Sequence, residues 1–163
     1  MSASPGASVG EVIEVALPDV AAMVALGVAI AGALQDGDVL LLRGELGVGK
    51  TTLVMGLAAG LGCDGAAVRS PTFSLVDEHA RGGGGVLLHA DLYRVDADGL
   101  PGLGLVEELG REGVIAALEW PAVVAPFLDA VSVVEVDLAT AAGGGRCAKI
   151  VLPPGRPWSF APA

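Results

Sequence analysis

The segment Gly44-Glu45-Leu46-Gly47-Val48-Gly49-Lys50-Thr51 fits G-x-x-x-x-G-K-[ST] and constrains the chain more than any other stretch. Wrapping backbone around a chain of phosphates requires small residues, so that successive N–H groups turn inward. Gly44, Gly47 and Gly49 permit that path. Lys50 then offers a point charge to phosphate oxygens, and the Thr51 hydroxyl, with Thr52 beside it, stands at the start of a helix whose N-terminus favours anions and where Mg²⁺ can be ligated. The flanks agree. Val39-Leu40-Leu41-Leu42 is an unbroken apolar run of the kind found in a parallel strand buried on both faces. Thr52 to Leu61 puts Leu53, Leu57 and Leu61 on one helical face, and Gly62 supplies a stop.

Around this unit the length of 163 residues predicts one α/β domain over residues 9–153, with a loose N-terminal tail at 1–8 and a C-terminal tail at 154–163. Glu11 to Leu17 reads as a first strand near a sheet edge. Pro18-Asp19 opens a helix with Val20, Met23, Val24, Gly27, Ile30 and Leu34 on one face, ended by Asp36-Gly37. Val20 to Leu34 carries no charge but falls short of the roughly 20 apolar residues a membrane span needs, so a packed helix is expected. The N-terminus lacks the basic start and apolar core of a signal peptide.

Val68 to Val76 reads as a loop leading into a strand, with Pro71 barring helix at its start. Gly82 to Gly85 form a turn before the strand Val86-Leu87-Leu88-His89-Ala90-Asp91, and Gly113 to Glu119 repeats the pattern of an apolar run ending in a carboxylate. Asp91 fits the loose Walker B position at a strand's C-terminal end, and Glu119 is a second acidic strand end downstream of the phosphate loop. His89 precedes Asp91 by two and shares its face; it either orients a carboxylate or water, or is a hydrogen-bonded structural histidine. Arg43, Arg69 and Arg94 reach toward phosphates or form surface ion pairs. Val134, Val136 and Leu138, then Ala148, Ile150 and Leu152, alternate about Gly143-Gly144-Gly145 as an antiparallel hairpin, which makes the sheet mixed. Trp158 and Phe160 pack back on the domain or belong to the tail.

Nine basic against nineteen acidic residues give a formal charge of -10, which disfavours a nonspecific grip on nucleic acid. Cys63 and Cys147 show no metal-ligand spacing and are expected as small buried residues in a reducing cytoplasm.

The phosphate loop together with Ser70-Pro71-Thr72-Phe73, His89-Ala90-Asp91-Leu92-Tyr93-Arg94, Glu107-Glu108-Leu109-Gly110 and Leu118-Glu119-Trp120-Pro121 resembles the TsaE (YjeE) family, from about Val9 to about Leu152. The resemblance implies a P-loop NTPase-like fold with a mixed, mainly parallel sheet flanked by helices. It implies an ATPase of tRNA threonylcarbamoyladenosine formation whose nucleotide cycle acts on a TsaD-like and TsaB-like pair, meeting tRNA only through them. ATP and Mg²⁺ are the expected ligands. By position, Lys50 and Thr51 hold phosphates and metal, Thr72 lies in a switch-like loop, Asp91 takes the Walker B-like place and Glu119 is the acidic residue near the metal. Glu119 is the first candidate to orient the attacking water, with Asp91 in the metal shell; the reverse assignment stays open. Trp120 borders the nucleotide or the partner surface, or is a core residue. His79, Gly113 and Ala122 depart from the family pattern beside the site. A small-molecule kinase on the same scaffold is the alternative, but it calls for a lid with clustered arginines, and between Tyr93 and Val114 only Arg94 and Arg111 occur.

Overall fold

The computed structural model describes residues 10–71 and 74–155. Seven strands form one sheet: β1 (Val12–Leu17), β2 (Val39–Arg43), β3 (Val76–Ala80), β4 (Val86–Asp91), β5 (Val114–Glu119), β6 (Val133–Thr140) and β7 (Arg146–Val151), in the spatial order β1-β7-β6-β2-β5-β4-β3. The four central strands, β6-β2-β5-β4, run parallel, while β1–β7, β7–β6 and β4–β3 are antiparallel. The expected C-terminal hairpin is β6–β7, and β1 lies at a sheet edge as its weak pattern suggests.

The helices α1 (Val20–Ala33) and α2 (Lys50–Gly60) cover one face. They pack on Leu40 and Leu42 of β2, Leu87 of β4, and Ile115 and Ala117 of β5. The other face, with Val39, Leu41, Leu88, Ala116 and Leu118, is covered by 3-10 segments and the connection between them, which contribute Leu100, Val124 and Leu105. β5 is buried along its whole length, as a central strand covered on both faces must be. Leu53 and Leu57, fully buried, anchor α2; each such burial contributes about 1.5–3 kcal/mol.

Asp19 caps α1, its carboxylate accepting from the Ala22 N–H at 2.8 Å. The buried face of α1 is Met23, Leu26, Gly27, Ile30 and Ala31, and Leu34, the C-cap, packs half-buried against the same core; Val20 is 70% exposed, so its place on that face is corrected. The helix is apolar all round, so its sequence carries no contrast from which to choose a stripe. Cys147 is also corrected. It is exposed, because it alternates with the buried Ala148 and Ile150 on β7. Cys63 is half-buried, and burial pushes its thiol up against the opposing pull of Arg81. No helix among the described residues is long and apolar enough to cross a membrane. Thr72, Trp158 and Phe160 lie outside the described residues.

The two helices touch backbone to backbone. A Cβ on Gly56 would collide with the Val24 carbonyl oxygen, and one on Gly27 would meet the Leu57 nitrogen at 2.6 Å. Alanine is the better helix former by about 1 kcal/mol, yet overpacking a rigid backbone contact costs about 1–3 kcal/mol. Gly56→Ala is therefore expected to lower the urea midpoint. A raised midpoint would show that the helices have room to separate.

Candidate nucleotide site

β2 sits where connections depart to opposite sides, with β5 on one flank and β6 on the other. In open α/β sheets the crevice beyond the carboxyl end of such a strand is where ligands bind. Here that crevice is the turn from β2 into α2. Gly44, Gly47 and Gly49 have φ of +144°, +78° and +119°, a region where side-chain-bearing residues are strained. Gly49 is the N-cap of α2 and provides no side-chain cap, so the helix presents free N–H groups to the crevice. Arg146 of β7 braces the loop from behind, its Nε donating to the Val48 carbonyl at 3.2 Å.

Lys50, the first residue of α2, is only 5% exposed. Its Nζ donates to the carbonyls of Gly44 (2.5 Å) and Glu45 (2.8 Å) and lies 4.3 Å from the centroid of the Trp120 ring. Burial holds its pKa below the ordinary lysine value, against the opposing pull of Glu119 and Asp91.

Those two carboxylates are direct neighbours, Asp91 standing opposite Glu119 in the parallel register of β4 and β5. Both lie on the helix face, in step with Leu87 and Ala117. Thr51 Oγ1 donates to Glu119, 3.2 and 3.3 Å from its two oxygens. Asp91 accepts from the Tyr93 N–H at 3.0 Å and from the Ser70 hydroxyl at 3.3 Å. His89, buried without exposure, brings Nε2 to 2.7 Å from Glu119 Oε2.

A cavity of about 240 Å³ is lined by Leu46, Gly47, Gly49, Lys50, Thr51, Thr52, Ser70, Asp91, Glu119 and Trp120. It thus gathers most of the residues expected from sequence. Gly44, Glu45 and Val48 complete the loop outside that lining. Trp120 adopts a left-handed conformation (φ 56°), rare for a bulky residue, and its ring lies 4.8 Å from that of Tyr93. The ring is part of the cavity wall and also of an adjoining groove of about 680 Å³, bounded by Arg43, Tyr93, Pro121 and Val123 among others. It is thus no core residue. Arg43 is engaged with Glu135 at 2.6 Å, and Arg69 with the Ala66 and Val68 carbonyls. Sequence reading missed Ser70 and Arg146 as individual contributors; Ser70 carried a signal in its motif, whereas Arg146 carried none.

The donor set fits a hard cation brought in by phosphates. A hydroxyl and a carboxylate lie together at the anion-favouring end of a helix, and among the described residues no group of three or more His, Cys, Asp or Glu is placed to cage a metal without them.

The family described as "Threonylcarbamoyl adenosine biosynthesis protein TsaE" matches residues 17–147. Curated relatives named tRNA threonylcarbamoyladenosine biosynthesis protein TsaE include one from Nostoc sp., 38% identical over 69% of this chain and 70% of its own. Another, from Synechocystis sp., is 43% identical over 67% and 70%. A third, from Streptomyces coelicolor, is 47% identical over 58% and 64%. Among solved structures, the crystal structure of Bacillus subtilis YdiB superposes with a TM-score of 0.70 at 26% identity, covering 88% of this chain and 87% of that one. With the phosphate loop, the paired strand-end carboxylates and the mixed sheet all in place, the chain belongs to the TsaE family of tRNA threonylcarbamoyladenosine biosynthesis proteins.

Proposed function

We propose that the protein binds ATP with Mg²⁺ and hydrolyses it to ADP and phosphate, the cycle acting on a TsaD-like and TsaB-like pair during tRNA modification in the cytoplasm. The observation that carries this reading is the convergence of Lys50, Thr51, Asp91 and Glu119 on one cavity at the N-terminus of α2. In the resting protein the Lys50 ammonium rests on the loop's own carbonyls. Triphosphate oxygens are stronger acceptors, and their negative charge offsets the desolvation that depresses this lysine. Magnesium, when bound, neutralises charge that builds on the phosphates.

The contact between Thr51 and Glu119 favours reversing the first assignment of the two carboxylates. In this reading Thr51 and Glu119 hold the metal, with water between as needed. Asp91, beside Glu119 on the adjacent strand and steadied by the Tyr93 N–H and Ser70, orients the attacking water. Thr72 keeps its place as a switch candidate through its motif alone. The kinase alternative gains nothing from the fold, since the segment between Tyr93 and Val114 packs Leu100 and Leu105 into the core instead of standing free as a lid. A charge of -10 suits contact with tRNA through partners.

Lys50→Ala is expected to weaken nucleotide binding on the order of 10- to 100-fold, the value of a charge-assisted hydrogen bond; unchanged affinity in a titration would remove Lys50 from the site. Asp91→Asn should keep nucleotide affinity and its magnesium dependence while slowing single-turnover hydrolysis about 10²- to 10⁴-fold. Glu119→Gln should instead lose the tightening that magnesium confers. Interchanged phenotypes would restore the original assignment. In cells depleted of the protein, nucleoside mass spectrometry of tRNA should show loss of threonylcarbamoyladenosine, restored by the wild type and not by Lys50→Ala. An unchanged level would break the link to tRNA modification.

The lowered Lys50 pKa also sets signs for pH dependence. Its charged form is disfavoured in the folded, nucleotide-free state, so stability rises with pH between the lowered value and that of an unfolded lysine. Affinity for ATP moves the other way, because phosphates need the ammonium and binding takes up a proton in that window. Calorimetry in buffers of different ionisation enthalpy should detect the uptake in the wild type and not in Lys50→Ala; equal uptake in both would assign it elsewhere.

A further inference from the structure

His89 is fully buried on β4, on the face it shares with Asp91, and the sequence leaves open whether it orients a carboxylate or is structural. Its Nε2 stands 2.7 Å from Glu119 Oε2, while Nδ1 has no hydrogen-bond partner among the described residues. This asymmetry assigns the ring hydrogen. On Nδ1 it would be a buried donor facing no acceptor, and Nε2 would aim a lone pair at a carboxylate oxygen. On Nε2 it forms a charge-assisted bond to Glu119.

We propose that His89 is the positioning residue for Glu119, holding Oε2 through Nε2–H so that Oε1 stays turned toward Thr51 and the metal position. Thr51 cannot set that orientation. Its hydroxyl is nearly equidistant from the two carboxylate oxygens, at 3.2 and 3.3 Å, whereas His89 selects one. When the Thr51 hydroxyl turns to a metal, His89 is the donor that remains. Packing alone does not account for the residue, because a leucine would fill the space without burying an unpaired ring nitrogen. A ligand held by a second group that fixes its direction is the general arrangement at metal sites.

The inference rests on the nucleotide-site reading above, and the tests separate the two. Glutamine places an amide N–H near the position of Nε2; leucine and asparagine do not. Nucleotide affinity without magnesium is expected to stay at the wild-type value in His89→Leu, His89→Asn and His89→Gln. The tightening by magnesium and the single-turnover rate should fall about 10- to 100-fold in the first two and recover in His89→Gln. Wild-type magnesium dependence in His89→Leu, or an equal loss in the leucine and glutamine variants, would overturn the proposal. Should the leucine variant fail to fold, ¹⁵N NMR of the wild-type imidazole decides: the hydrogen is expected on Nε2, and finding it on Nδ1 would overturn the assignment. A wild-type protein that neither binds ATP nor releases phosphate would instead sink the nucleotide reading, leaving the tautomer result to stand by itself.

Discussion

Two carboxylates side by side at the ends of adjacent parallel strands repel each other, and the site depends on how that repulsion is met. Asp91 and Glu119 are in register on β4 and β5, and Glu119 is almost wholly out of water. Like charges directly opposite on one face destabilise a sheet. Here each carboxylate has its own donors: Glu119 has Thr51 and His89, and Asp91 has the Tyr93 amide and Ser70. The Lys50 ammonium attracts both at longer range, and they partly offset the burial that disfavours its charge. A magnesium–phosphate group bound as proposed would add positive charge beside the carboxylates and negative charge beside the lysine, so the same repulsion would become a source of affinity.

The fold supplies this arrangement through a few rigid parts. β2 delivers the loop, α2 starts at Lys50, and the backbone contact of Gly27 with α2 locks the two helices over the sheet. Arg146 ties the loop to the C-terminal hairpin, which makes β6–β7 part of the site's support. Trp120 lies on the boundary between the nucleotide cavity and the neighbouring groove, with Lys50 against its ring. In the proposed cycle, movement of Lys50 onto phosphates would withdraw it from the Trp120 ring that the cavity and the groove share, a physical route by which nucleotide state could reach that groove.

Much of this was legible in the sequence because its signals are local. The strand, loop and helix around Lys50 follow from spacing within one stretch, and Asp91 and Glu119 announce themselves as acidic ends of apolar runs. The alternation of Ala148 and Ile150 predicted the hairpin and, read through, places Cys147 outward; treating the two cysteines as a buried pair ignored that pattern. The stripe of α1 was illegible because apolar residues surround the helix. The Arg146 contact spans 98 residues, and the pairing of Ser70 with Asp91 spans 21, so neither leaves a periodic trace. The left-handed backbone of Trp120 is likewise a tertiary result, imposed where β5 turns into a 3-10 segment beside the loop.

A structure of the protein with a nonhydrolysable ATP analogue and magnesium tests the central claim most directly. The account predicts Lys50 Nζ on the terminal phosphates, released from the carbonyls of Gly44 and Glu45, with the Thr51 hydroxyl on the metal and His89 still bonded to Glu119. An analogue bound elsewhere, or a lysine still seated on the loop carbonyls with the phosphates in place, would contradict it.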